Sequence, residues 1–314
     1  HDALPISPGG YETARTQRDW QQHRTVLDGQ NTQGCVHGAN NALLDGFILR
    51  NGKGIPVPMS PLSRGGGILN DGVSPTIVNC LFVNHSARSA AAMYNSNASP
   101  IVTNCVFLAN SASSSGAAMG NFGNASPVVT DCIFALNTTQ YQGNSVTNVS
   151  SGTPAFRRCV FVENKCLSAS GTLENLSGSP VIANCLFVHN QGYACGGVAN
   201  SASSPLVINC TFANNTATLY AGAMVNDQAA TPTLVNSILW DSEPAEIYDE
   251  DGSTTTATYS NIEGGWAGEG NQTPARNPHF VRGPTGISTA LAYNSDTYTS
   301  TLNHAADGSS ENAF

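Results

Sequence analysis

Four columns of residues, each recurring seven times in register, constrain this chain more than any other feature. Proline returns at Pro75, Pro100, Pro127, Pro154, Pro180, Pro205 and Pro232, in steps of 25 to 27 residues. Five positions after each comes Cys80, Cys105, Cys132, Cys159, Cys185, Cys210 and then Ser237. Two further on stands Phe82, Phe107, Phe134, Phe161, Phe187, Phe212 and then Leu239. The last column is Asn70, Asn95, Asn121, Asn148, Asn175, Asn200 and Asn226. A period of about 26 residues marks a solenoid, whose units bury their apolar faces only by stacking on one another.

Side-chain parity shapes the coil. Two residues after each proline is a bulky apolar residue: Ile77, Val102, Val129, Phe156, Ile182, Val207 or Leu234. Positions an odd number apart in an unbroken strand face opposite sides. Ile77 and Phe82 are five apart, yet both columns read as core. The chain must therefore turn between them, and the corner falls at Asn79–Cys80, because Asn tolerates the left-handed conformation best. The corner column, Asn79, Asn104, Asp131, Arg158, Asn184, Asn209 and Asn236, is expected to hydrogen-bond from coil to coil. A third strand turns Ile68, Met93, Met119, Val146, Leu173, Val198 and Met224 inward, each preceded by a small residue where the cross-section narrows.

Identical strands stacked in one direction are parallel, and parallel crossovers are right-handed. The expected fold is all-β: a single-stranded, right-handed parallel β-helix of about 26 residues per coil. Val26–Gly29, Ala42–Leu49 and Thr255–Ile262 supply strands of flanking coils, and Lys53–Arg64, with Pro56, Pro58 and Pro61, reads as a lateral loop. Residues 1–7 read as a translated sequencing adapter, 8–283 as the β-helix, and 284–314 as a non-repeat segment, the truncated start of another module.

Charged residues make up only 11% of the chain and the net charge is −9, with Lys53 and Lys165 the only lysines. Phosphate recognition needs a basic stripe, so a nucleic-acid role is excluded. No run approaches the 18 apolar residues of a membrane-crossing helix.

Gly65-Gly66-Gly67-Ile68 and the Phe-x-x-Asn pairs Phe107–Asn110, Phe134–Asn137, Phe161–Asn164, Phe187–Asn190 and Phe212–Asn215 resemble the repeats of polymorphic outer-membrane autotransporter adhesins. The first coil departs, with His85 at the Asn position. The wider pattern, including Leu27-Asp28-Gly29 and Asn277-Pro278-His279-Phe280-Val281, is similar to β-helix repeat proteins secreted or displayed by environmental bacteria. The resemblance covers roughly residues 11–283 and implies the pectin-lyase-like architecture and an extracellular or outer-surface location. It implies little about activity, because fold does not confer function.

Six of the nine cysteines form one stacked column, whose parallel Cβ vectors a strand spacing apart suit buried thiols rather than disulfides or zinc. Cys166 and Cys195 lie off it and are the one pair with a chance of linking. The densest charge cluster is Arg157, Arg158, Glu163, Lys165 and Glu174. A polysaccharide lyase needs a base and a cation near a uronate, so these are the candidate catalytic residues; the bland alternative is a salt-bridged patch. Asp131 and Glu163 form a weak candidate carboxylate pair for an inverting glycosidase. In the acidic stretch Asp241–Asp251, Asp249, Glu250 and Asp251 are candidate Ca²⁺ ligands, against the alternative of a solvated turn. No other cofactor is expected. His85 and His189 replace repeat residues near the Asn turn.

The residues beside the Phe column are apolar too: Leu81, Val106, Ile133, Val160 and Leu186 on one side, Val83, Leu108, Ala135, Val162 and Val188 on the other. Strands apolar on both faces are covered on both. This face is therefore expected to be packed by a loop, by another part of the protein, or by a partner. The expected function is a secreted or cell-surface module, non-catalytic, that binds glycan or protein or serves as a stalk. The alternative is a carbohydrate-active enzyme, a lyase or hydrolase, working around Arg157–Glu174.

Overall fold

The computed structural model describes residues 6–8, 25–56, 63–140, 144–167 and 171–280. The expectations for 284–314 lie outside the described residues. Parallel strands stack into a β-solenoid of about nine turns, and the described residues contain no helix. Each regular coil crosses four sheets, exemplified by Thr76–Val78 (sheet 1), Leu81–Val83 (sheet 2), Ser86–Ser89 (sheet 3) and Met93–Ser96 (sheet 4). The four sheets hold ten, ten, eight and nine strands. Register follows the repeat: Val102 pairs with Ile77, Phe107 with Phe82 and Met119 with Met93. Ile6–Pro8, which overlaps the segment read as adapter, pairs with Leu43–Asp45.

Sheet 3 is the strand the repeat pattern did not reveal. Its members, such as Ser86–Ser89 and Ser111–Ser115, are short, small and polar, without the alternation that marks a half-buried strand. Of the stretch read as a lateral loop, residues 57–62 lie outside the described residues, and the flanking Ile55–Pro56 and Ser63–Arg64 pair antiparallel.

The corner inferred from parity is present. Asn79, Asn104, Asp131, Arg158, Asn184, Asn209 and Asn236 all have φ between 49° and 56°, the left-handed region. Asn104 Nδ2 donates to Asn79 Oδ1 (2.7 Å) and Asn79 Nδ2 to Asp45 Oδ1 (2.8 Å). On the upper coils Asn236 donates to Asn209 and Asn209 to Asn184. These donors point toward the N-terminal end, and the lower run ends on the carboxylate of Asp45.

Inside, the Phe column is a continuous stack from Phe82 to Phe212. Consecutive ring centroids lie 4.5 to 4.9 Å apart and their planes within 7° of parallel. Phe156 meets Phe134 and Phe161 edge-on, at 6.4 and 6.1 Å. Such contacts add about 0.5–1.5 kcal/mol each to the burial of the rings.

The cysteines are free thiols, Cys166 and Cys195 included. In the stacked column each thiol links two coils. Cys105 Sγ donates to Thr103 O (3.3 Å), and Cys105 N donates to Cys132 Sγ (3.4 Å). Ser237, the next rung after Cys210, makes the same pair of bonds with its hydroxyl, to Val235 O and from Cys210 N. Burial pushes the thiols of Cys105 and Cys159 well above their usual range.

Two buried Asn ladders run the other way. In sheet 4 each Nδ2 donates to the next Oδ1 at 2.7 to 2.8 Å, from Asn70 through Asn95, Asn121, Asn148, Asn175 and Asn200 to Asn226. Asn226 then donates to Asp249 Oδ1 (2.7 Å), where a carboxylate with no donor ends the chain of amides. The second ladder uses the Phe-x-x-Asn residues. Asn137 Nδ2 donates both to Asn164 Oδ1 and to Phe107 O, and Asn164 Oδ1 also accepts from Asn137 N. At its upper end Ser242 replaces the Asn, and Glu246 Oε1 accepts from Ser242 N (2.8 Å).

The apolar outer face of sheet 2 is buried within the single chain. Val83, Ala135 and Val162 are fully buried, and Leu108, Val188, Leu81 and Ile133 nearly so. Val106, Val160 and Leu186 of the same face are only partly buried. Among the described residues no helix is long and apolar enough to cross a membrane.

Candidate functional site

The candidate charges do not form one cluster. Arg157 lies exposed on sheet 1. Arg158 sits at the corner between sheets 1 and 2 and grips Asp131 of the preceding coil with both Nε (2.7 Å) and Nη2 (2.8 Å). It is a charged rung of the outer ladder, donating in the same direction as the asparagines around it. Glu174 is on sheet 4, where its Oε2 accepts from Asn144 Nδ2 (2.6 Å). The solenoid distributes the five candidate residues over its separate sheets and corners. Asp131 and Glu163, the candidate glycosidase pair, lie on adjacent coils at opposite corners of sheet 2, one before its strand and the other after.

Glu163 and Lys165 share one site. They line an open groove of about 550 Å³ with Leu136, His189, Gln191, Asn214 and Thr216. Two columns build it. Leu136, Glu163, His189 and Asn214 occupy the corner between sheets 2 and 3, all with φ between 52° and 56°. Lys165, Gln191 and Thr216 are consecutive, paired outward positions of sheet 3. The corner backbone is tied to the next coil, with Glu163 N donating to Val188 O and His189 N to Ala213 O. The corner side chains are thus carried on a rigid edge.

Leu and Glu rarely adopt this left-handed conformation, which costs roughly 1–2 kcal/mol without glycine or asparagine. Asn84, Ala109 and Asp241 adopt it too, so the architecture of the corner requires it, not the chemistry of the groove. Chemically the groove offers one carboxylate, one ammonium, an imidazole, two amides and a hydroxyl. That mixture recognises groups that both donate and accept hydrogen bonds. It lacks the second carboxylate of a glycosidase among its lining residues.

His189 was visible in the sequence as a departure from the repeat, but Leu136, Gln191, Asn214 and Thr216 were not. Their signal was variability: the corner column reads Asn84, Ala109, Leu136, Glu163, His189, Asn214 and Asp241, between columns that are nearly constant. A position that varies from coil to coil inside a strict repeat is free of the packing that fixes its neighbours.

The acidic stretch has a structural use. Asp249 Oδ1 accepts from Asn226 Nδ2 and from Thr255 Oγ1, and its Oδ2 accepts from Thr255 N. Glu246 is buried, and desolvation, helped by Glu263 and Asp241, pushes its carboxyl up to about 8. Among the described residues no three or more His, Cys, Asp or Glu side chains are disposed to hold a metal ion. The Ca²⁺ candidates Asp249, Glu250 and Asp251 therefore form no such group.

Comparison with models of protein families, with curated proteins and with solved structures finds no match.

Proposed function

We propose that this chain is a secreted or cell-surface β-helix module that binds a glycan or protein ligand in the groove between sheets 2 and 3, without cleaving it. The observation that carries this reading is the dispersal of the charged residues. The groove has hydrogen-bonding groups of both kinds but one carboxylate, and the remaining candidate charges lie on other faces. Its rigid backbone favours recognition, since preorganised sites lose little entropy on binding. The location rests on the likeness of the Phe-x-x-Asn repeats to those of surface adhesins.

The enzyme reading keeps one argument: Glu163, Lys165 and His189 share a groove, and a base with a neighbouring cation is what a lyase uses. Incubation of the chain with neutral and acidic polysaccharides, followed by reducing-end and unsaturated-uronate assays, separates the two. Binding without product is expected. Product release that disappears in Glu163→Gln would replace the module by an enzyme.

A further inference from the structure

Two exposed apolar side chains follow the groove-lining strands of sheet 3. In sheet 3, Lys165 pairs with Gln191 and Cys166 with Gly192 on adjacent coils, and Leu167 and Tyr193 are the residues that follow each pair. Cys166 and Gly192 are buried and end the two strands, and the bends that follow begin with Leu167 and Tyr193, two residues after Lys165 and Gln191. Leu167 is 59% exposed and Tyr193 42% exposed. An exposed aromatic ring and an exposed aliphatic side chain thus follow, two residues on, the groove-lining Gln191 and Lys165.

We propose that this surface binds a neutral polysaccharide laid along the groove, with one sugar face on Tyr193 and Leu167 and its hydroxyls on Glu163, His189 and Gln191. The inference rests on the binding-module reading and names its ligand class. Three observations favour a neutral glycan. Sugar hydroxyls both donate and accept, as the groove requires, and the C–H face of a pyranose is the apolar partner an exposed aromatic ring takes. The carboxylate of Glu163 offsets the ammonium of Lys165, while the net charge of −9 repels polyanions at long range. A protein partner needs about 800 Å² of surface with an aromatic, desolvated centre, whereas the strands lining the polar groove are followed here by one tyrosine and one leucine.

Native affinity electrophoresis of the full chain tests this, in gels cast with soluble mixed-linkage β-glucan, arabinoxylan, galactomannan or polygalacturonate. At least one neutral polymer should retard the chain. Tyr193→Ala should weaken that retardation roughly tenfold, and Tyr193→Phe should restore it, since the ring supplies the contact. Tyr259→Ala, an exposed tyrosine away from the groove, should leave it unchanged. Equal melting temperatures would show that both variants remain folded. Retardation by polygalacturonate alone, by none of the polymers, or undiminished in Tyr193→Ala overturns the inference. Product release in the polysaccharide assays is a separate result that overturns the module reading instead.

Discussion

His85 and Asn110 are consecutive rungs of one buried column, and the imidazole makes the bonds that the amide makes. Asn110 Oδ1 accepts from His85 N, and Asn110 Nδ2 donates to Phe82 O. One coil earlier, His85 Nδ1 accepts from Gly52 N (3.0 Å), and Nε2 donates to Leu49 O (3.0 Å), Leu49 being paired with Phe82. The ring needs more room than an amide, and glycine provides it: a Cβ on Gly52 would lie 2.6 Å from Nδ1.

This substitution gives the rod a sensitivity to acid. Burial lowers the His85 pKa from 6.5 to about 4, because the charged imidazolium would have to be held away from water. The unfolded chain binds the proton more readily, so this contribution is complete above pH 6.5 and is lost as pH falls toward 4. The slope is about 1.4 kcal/mol per pH unit. His85→Asn should abolish it in urea denaturation followed across that range, and a slope unchanged in that variant would contradict the assignment.

Glu246 has the opposite sign. Its carboxyl is raised from 4.5 to about 8, so the fold favours the protonated form. Stability is complete below pH 4.5 and is lost as pH rises to 8, at a similar slope. Between 4.5 and 6.5 the two effects oppose each other. Glu246→Gln should therefore expose the rise due to His85 and remove the decline above pH 6.5.

The sheet 4 ladder should be least forgiving at its middle. Asn148→Ala strands Asn121 Nδ2 and Asn175 Oδ1 in a dry interior. Each orphaned group costs about 1–3 kcal/mol, so a loss of roughly 2–6 kcal/mol is expected from chemical denaturation. A loss below about 1 kcal/mol would mean the amides are not coupled.

The period, the parallel stacking and the first corner were legible because the residues that build them are bulky or conformationally special: Ile77, Phe82 and Asn79. Sheet 3 was not, because Ser111–Ser115 packs through a single alanine, Ala112, and carries no apolar alternation. Asp249 and Glu246 looked like members of a solvated acidic turn. Their roles as ladder ends depend on where the Asn columns stop, which is a property of three dimensions. The groove was half visible: Glu163 and Lys165 stood out by charge, whereas Asn214 and Thr216 resemble the rest of a chain rich in both residue types.

The thiols provide a check on the buried columns. Eight of the nine cysteines are buried and Cys35 is partly so, its thiol raised by burial to about 11. Under native conditions an aromatic disulfide reagent should titrate at most Cys35, and after denaturation without reductant all nine. Fewer than nine would reveal a disulfide, with Cys166 and Cys195 the pair to examine.

The central claim, that recognition occurs in the groove between sheets 2 and 3, is tested most directly by hydrogen exchange of the full chain with and without a retarding polysaccharide. Protection is predicted in peptides covering residues 160–167, 186–193 and 211–218, at the edge that carries Glu163, His189 and Tyr193. Protection centred on sheet 1 around Arg157, with those three segments unchanged, would contradict the account.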